Sequence, residues 1–203
     1  MFFFSIYNKF KLRKWENLSP AKRQKVLEKV EQKQAKKLNR TPLPVIIQPN
    51  ASWNCYGMFT VENGKQLLYL NIRLITEPHL RFHALETIMH EGRHAYQYKV
   101  SSSTDIGLFD FRARRWKQNY SGYISSYEDR LFYSMQPIER DAQKYAIKQL
   151  SSMKFRFGEE EDYQNTLKSM LYRYEETVKQ LKEEQGFFFK RKMYKKIRQK
   201  NQK

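Results

Sequence analysis

His90-Glu91-Gly92-Arg93-His94 constrains this chain more than any other stretch. In the run from His79 to Val100, Leu85, Ile88, Met89 and Ala95 recur at helical spacing, so the segment reads as a buried helix. Two histidines four residues apart on a helix stand one turn above each other, with Cβ atoms about 5–6 Å apart. Both rings can then converge on one Zn²⁺ at roughly 2.0–2.1 Å. Glu91 falls about 100° round the helix from His90, off that shared face. There it can reach a water in the metal's open position, which is where a general base is needed. The motif predicts a zinc hydrolase, most simply one that cuts peptide bonds. A chance match, with two structural histidines, is the alternative. Only four histidines occur in the chain, and two of them lie here.

The elements before the motif follow from turn and cap signals. Ser19 is an N-cap candidate ahead of Pro20, and Lys22 to Leu38 then runs without a breaker. Its few apolar points, Val26, Leu27, Val30 and Leu38, predict a helix docked by one narrow face or ordered by a partner. Thr41-Pro42-Leu43-Pro44 closes it. Val45-Ile46-Ile47 reads as a short strand, Trp53 to Val61 as a second, and Gln66 to Ile75 as a third after an Asn63-Gly64 hairpin turn. Thr76-Glu77-Pro78 opens the motif helix, expected to reach about Tyr98. Gly92 inside it costs about 1 kcal/mol against Ala, which a close neighbour or substrate would explain. His83, seven residues before His90, is a core or surface histidine or a contact near the metal.

After the motif, Ser101 to Thr104 reads as loop, and Phe109 to Trp116 mixes aromatics with arginine. That segment suits a nucleic-acid patch or a cover over the cleft. Gln136-Pro137 starts a further helix, with Glu139 in its first turn and Ala142 and Ala146 on the same stripe. Glu139 is either an ordinary N-terminal glutamate favoured by the helix dipole or the third ligand. Asp105, Asp110, Glu128 and Asp129 are weaker rivals for that place. Residues 159–185 predict a long amphipathic helix with Leu167, Leu171, Tyr174, Val178 and Leu181 as its stripe.

His90-Glu91-x-x-His94 followed by Pro137-x-Glu139-x-x-Ala142-x-x-Tyr145-Ala146 resembles the gluzincin-type zinc metallopeptidases, and most nearly their small cytosolic ImmA/IrrE-like branch. The resemblance covers about residues 45–150. It implies His90, His94 and Glu139 as Zn²⁺ ligands, Glu91 as catalytic base, and an α+β zincin-like fold. In that fold a small antiparallel sheet packs on the motif helix, here with long helices at both ends. Two features depart from the family pattern: a 45-residue gap between His94 and Glu139, and Gln143 where the larger enzymes carry an aspartate. Tyr133, Tyr145, His79 and His83 are the candidates for stabilising an oxyanion or touching substrate.

The organisation expected is a basic helical extension over 1–44, the metallopeptidase domain over 45–150, an amphipathic helix over 151–185 and a basic tail over 186–203. The net charge of +18 suggests a nucleic-acid binder until it is divided. Residues 1–40 hold 12 Lys/Arg against 3 Asp/Glu and residues 186–203 hold 8 against none, which leaves only +1 for 41–185. Both ends set three phenylalanines beside basic residues. The alternative function is therefore a non-catalytic binding protein with a structural or vestigial zinc site, whose ends bind nucleic acid or an anionic membrane. Solubilising tails are the plainer account of those ends. Cys55, the single cysteine, excludes an intrachain disulfide and reads as a core thiol or a minor ligand candidate. No stretch reaches the roughly 20 apolar residues of a membrane span, and no signal-peptide pattern opens the chain. A cytoplasmic protein acting on a protein or peptide substrate is the expectation.

Overall fold

A computed structural model of the chain describes residues 6–103 and 110–183. Residues 1–5 and 184–203 lie outside them, and with them both Phe triplets and the basic tail. The fold is mixed α+β. A 3-10 turn at Tyr7–Phe10 leads to α1 (Leu12–Glu16) and α2 (Pro20–Lys37). Three strands follow, β1 (Val45–Gln48), β2 (Gly57–Glu62) and β3 (Lys65–Asn71), then α3 (Arg73–Thr76) and α4 (Arg81–Ser101). The remaining helices are α5 (Phe111–Ser121), α6 (Arg130–Met135), α7 (Pro137–Ser151), α8 (Lys154–Phe157) and α9 (Glu161–Glu183). Among the described residues two compact units separate, and the division runs through α4, α7 and α9. The first holds residues 6–96 and 145–168, the second 97–103, 110–144 and 169–183.

In the first unit the sheet has the order β1-β3-β2. It is mixed rather than antiparallel: β3 pairs antiparallel with β2 and parallel with β1. The hairpin forces the first pairing, through Asn63 and Gly64 at φ 50° and 74°. The second arises because β3 carries the fully buried Leu68 and Leu70 and so takes the central place. β2 begins at Gly57 rather than Trp53, after turns over residues 51–56. β3 stops at Asn71, short of Ile75. There the Asn71 side chain accepts the Arg73 N–H and donates to the Trp53 and Cys55 carbonyls, which turns the chain into α3.

α2 forms where the cap signals put it, with Ser19 Oγ accepting the Lys22 N–H. Its narrow apolar face, Val26, Leu27 and Val30, is buried. Polar anchors complete the docking: Arg23 donates to the Ile75 and Trp15 carbonyls, and Gln24 to that of Val45. α4 starts three residues later than its cap signal suggested, because Pro78–Leu80 form a 3-10 turn first. Its first residue, Arg81, is buried, donates to the Phe10 carbonyl and pairs with Glu160 and Asp162. Phe82 meets Phe157 and Tyr163 edge-on, at 5.0 and 5.3 Å between centroids.

In the second unit Ile124, Phe132, Met135 and Leu181 make a small apolar cluster. Helix starts here carry aspartate caps: Asp110 accepts the Ala113 N–H and Asp129 the Phe132 N–H.

Candidate metal centre

His90 and His94 stand on α4 with their Nε2 atoms 3.0 Å apart and their rings edge to face. Two tetrahedral ligands at about 2.0–2.1 Å from one ion lie roughly 3.3 Å from each other, so the imidazoles already stand near ligating separation. Glu139 sits in the first turn of α7 and is 4 % exposed, and Tyr123 donates its hydroxyl to Glu139 Oε1 at 2.9 Å. One ligand atom from each of His90, His94 and Glu139 lies within 4.8 Å of the others, a group among the described residues that could hold a metal ion. The donor set fits a divalent cation. Two neutral imidazoles and one carboxylate leave an open position, and a buried carboxylate needs hydrogen bonds and positive charge to offset its lost hydration.

Buried amides hold the start of α7. Asn119 Oδ1 accepts the Ile138 N–H, one of the donors a helix start leaves without an intrahelical partner. Gln136 fixes Asn119 in turn, accepting from its side chain at 2.9 Å while also bonding both backbone groups of Ile124. Gln97, one turn beyond His94, donates to the Ile138 carbonyl at 3.0 Å and to Asp141 at 2.8 Å. Glu139 therefore follows a residue whose N–H and carbonyl are both held by buried amides.

Glu91 faces the sheet. Its Oε2 accepts the Phe59 N–H of β2 at 2.8 Å. Counting from the two-residue turn, Glu62 and Lys65 form the bonded pair that closes it, so Phe59 opposite Leu68 turns its N–H outward, away from β3. Gly57 permits this approach. A Cβ there would lie 2.3 Å from Thr87 Cγ2 and 3.2 Å from Glu91 Cγ. Cys55 lies near enough to feel the same carboxylate: burial first, and Glu91's charge second, push its thiol up to about 11.

The other candidates fall in different places. Tyr133 meets Tyr123 edge-on at 6.2 Å, beside the tyrosine that holds Glu139. Tyr145 stacks under the Arg93 guanidinium, 5.1 Å from its ring centre, and burial raises its pKa. His83 lies 5.4 Å from the Tyr56 ring, with Glu86 at 3.9 Å. His79 is exposed, 3.5 Å from Glu77. Of the rival ligands, Asp110 and Asp129 cap helices, Glu128 accepts from Ser125, and Asp105 lies outside the described residues.

Tyr123, Gln97, Gly57 and the Phe59 N–H escaped the reading of the sequence. Gln97 was within reach, three residues past His94 and so beside it on the helix. Gly57 also carried a signal, since a strand glycine marks close approach of another element. Tyr123 is one of several tyrosines in an irregular segment, and no periodicity singles it out. Compared with family models, with curated proteins and with solved structures, the chain matches none.

Proposed function

We propose that the chain is a zinc-dependent metallopeptidase with a zincin-like core, in which His90, His94 and Glu139 hold Zn²⁺ and Glu91 is the catalytic base. The observation that carries this reading is the convergence of those two imidazoles and one carboxylate on a single small volume. When bound, zinc supplies Lewis acidity and a water whose pKa is lowered towards neutrality. The chain's own residues do the rest. Glu91 takes the proton of the attacking water at the carboxylate that Phe59 orients. Tyr123 fixes the rotamer of Glu139. The substrate lies extended along the outer edge of β2, on the outward backbone groups other than the Phe59 N–H, where main-chain hydrogen bonds hold a peptide without reading its side chains.

Replacing Glu91 with Gln tests this directly. Zinc content should stay unchanged while cleavage of an unstructured protein such as casein falls about 10²–10⁴-fold. Cleavage at the original rate would reject the assignment of the base.

Among the described residues no helix is long and apolar enough to cross a membrane. Action on a peptide or protein in the cytoplasm belongs to the proposal. The rival reading, a binding protein working through its basic aromatic ends, gains little from the part of those ends that is described. Phe10 and Trp15 are fully buried and stack on each other at 4.8 Å, so neither offers a face to a base or a lipid.

A further inference from the structure

The first unit contains a cavity of about 520 Å³, away from the β2 edge and reached past α2, the end of α7 and α8. Its size falls within the range of about 300–1,000 Å³ typical of small-molecule sites. Its chemistry is one-sided. Lys33, Lys36, Lys37 and Arg156 line it, and among the described residues no acidic side chain does. Neutral groups stand beside three of these cations. The Lys33 ammonium lies 4.6 Å from the centre of the Tyr7 ring, and Lys37 donates to Gln149 at 2.9 Å. Arg156 donates to Asn8 and lies 5.3 Å from the centre of the Phe155 ring. Burial and, behind it, repulsion from Arg156 lower the pKa of Lys33, as expected where like charges share a wall.

Beside the polar Gln34, Gln149 and Ser152, the remaining lining is aromatic and apolar. Tyr7, Tyr145 and Phe155 supply rings, and Met89 and Met153 supply soft, adaptable surface. Burial raises the pKa of both tyrosines, so their hydroxyls stay protonated and able to donate near neutral pH.

We propose that this cavity binds a small organic anion in which a flat aromatic ring carries a sulfonate, carboxylate or phosphate group. The ring lies among Tyr7, Tyr145 and Phe155, and the anionic group meets Lys33 and Arg156. This inference is independent of the metallopeptidase reading, since no metal ligand takes part.

Fluorescence titration of the full chain with anilinonaphthalene sulfonate, an aromatic anion, tests the site beside its uncharged relative phenylnaphthylamine. The sulfonate should saturate at one site per chain. The Lys33→Glu/Arg156→Glu variant and the uncharged probe should each bind at least about tenfold more weakly. Lys25→Glu/Lys65→Glu changes the net charge equally on exposed positions outside the cavity and should leave affinity unchanged. Should the Lys33→Glu/Arg156→Glu variant lose its helical circular dichroism, Lys36→Glu/Lys37→Glu, at two exposed cations of the rim, takes its place with the same expectation. Equal weakening by the remote pair, equal affinity for the uncharged probe, or no saturable binding would overturn the proposal.

Discussion

At the scale of the residue, the Tyr123 hydroxyl is one hold on Glu139. Tyr123→Phe keeps the ring and removes the hydroxyl that donates to Oε1, so the carboxylate gains rotameric freedom at a position where its direction matters. Loss of a partner of this kind typically costs about 10–100-fold in metal affinity, which a competition titration against a chelator would measure. Affinity equal to that of the parent chain would mean that other contacts hold Glu139. Cys55 gives a second prediction. Its thiol, raised to about 11, stays protonated at neutral pH and should react slowly with iodoacetamide until the solution is strongly alkaline. Because the folded value lies above the ordinary one near 8.5, the thiol's contribution to stability is complete below about pH 8.5 and is lost as the pH rises towards 11. A rate of alkylation at pH 8 matching that of a free cysteine would contradict this.

At the scale of the element, the pairing of α2 with α4 governs the motif helix. Gln34 donates to the Met89 carbonyl at 2.7 Å, immediately before His90. Gly92 answers the question its position raised: a Cβ there would lie 2.5 Å from Gln34 Oε1 and 2.6 Å from Arg40 Nη2. Neither side chain can yield freely, because Arg40 is held by both oxygens of Glu31 and that pair is almost wholly buried. Gly92→Ala should therefore destabilise the chain by about 1–3 kcal/mol in urea unfolding, although alanine is the better helix former. Breaking the pair with Glu31→Gln should cost about 3–5 kcal/mol, because an uncompensated guanidinium is left inside. Adding Arg40→Met to it should recover part of that loss, and a double variant worse than the two single losses summed would refute this account of the pair.

The elements also show why some of the fold was legible and some was not. Ser19-Pro20, Asn63-Gly64 and Gln136-Pro137 act through local backbone chemistry, so α2, the hairpin and the start of α7 could be placed from sequence. The approach of His90, His94 and Glu139, whose ligand atoms lie within 4.8 Å of one another, was expected from helical spacing joined to a family resemblance. The ends of β2 and β3 were not. They depend on Asn71 bonding to Trp53 and Cys55, contacts 18 and 16 residues away in sequence. The sheet's mixed character escaped for the same reason, since β1 pairs directly with β3 although β2 lies between them in sequence. In α9 the buried face includes Tyr163, Thr166 and Met170 rather than Leu167 and Leu171, which are half-buried. Two acids at its start, Glu160 and Asp162, pair with Arg81.

At the scale of the whole molecule, the +18 charge and the metal site are separate matters. Most of the excess lies in residues 1–40 and 186–203, while the stretch carrying the motif and Glu139 is nearly neutral. Zinc that binds only the folded chain should stabilise it, by about 2.7 kcal/mol at a hundredfold excess over the dissociation constant. For a chain of this size that corresponds to roughly 5–10 °C in the unfolding midpoint, lost on treatment with a chelator and regained with zinc. The most direct test of the central claim is metal analysis of the purified full chain beside its Glu139→Ala variant. The parent should carry close to one zinc per chain and the variant far less. Equal metal content in the two, or a parent that takes up none when zinc is supplied, would contradict the claim that His90, His94 and Glu139 form a zinc site.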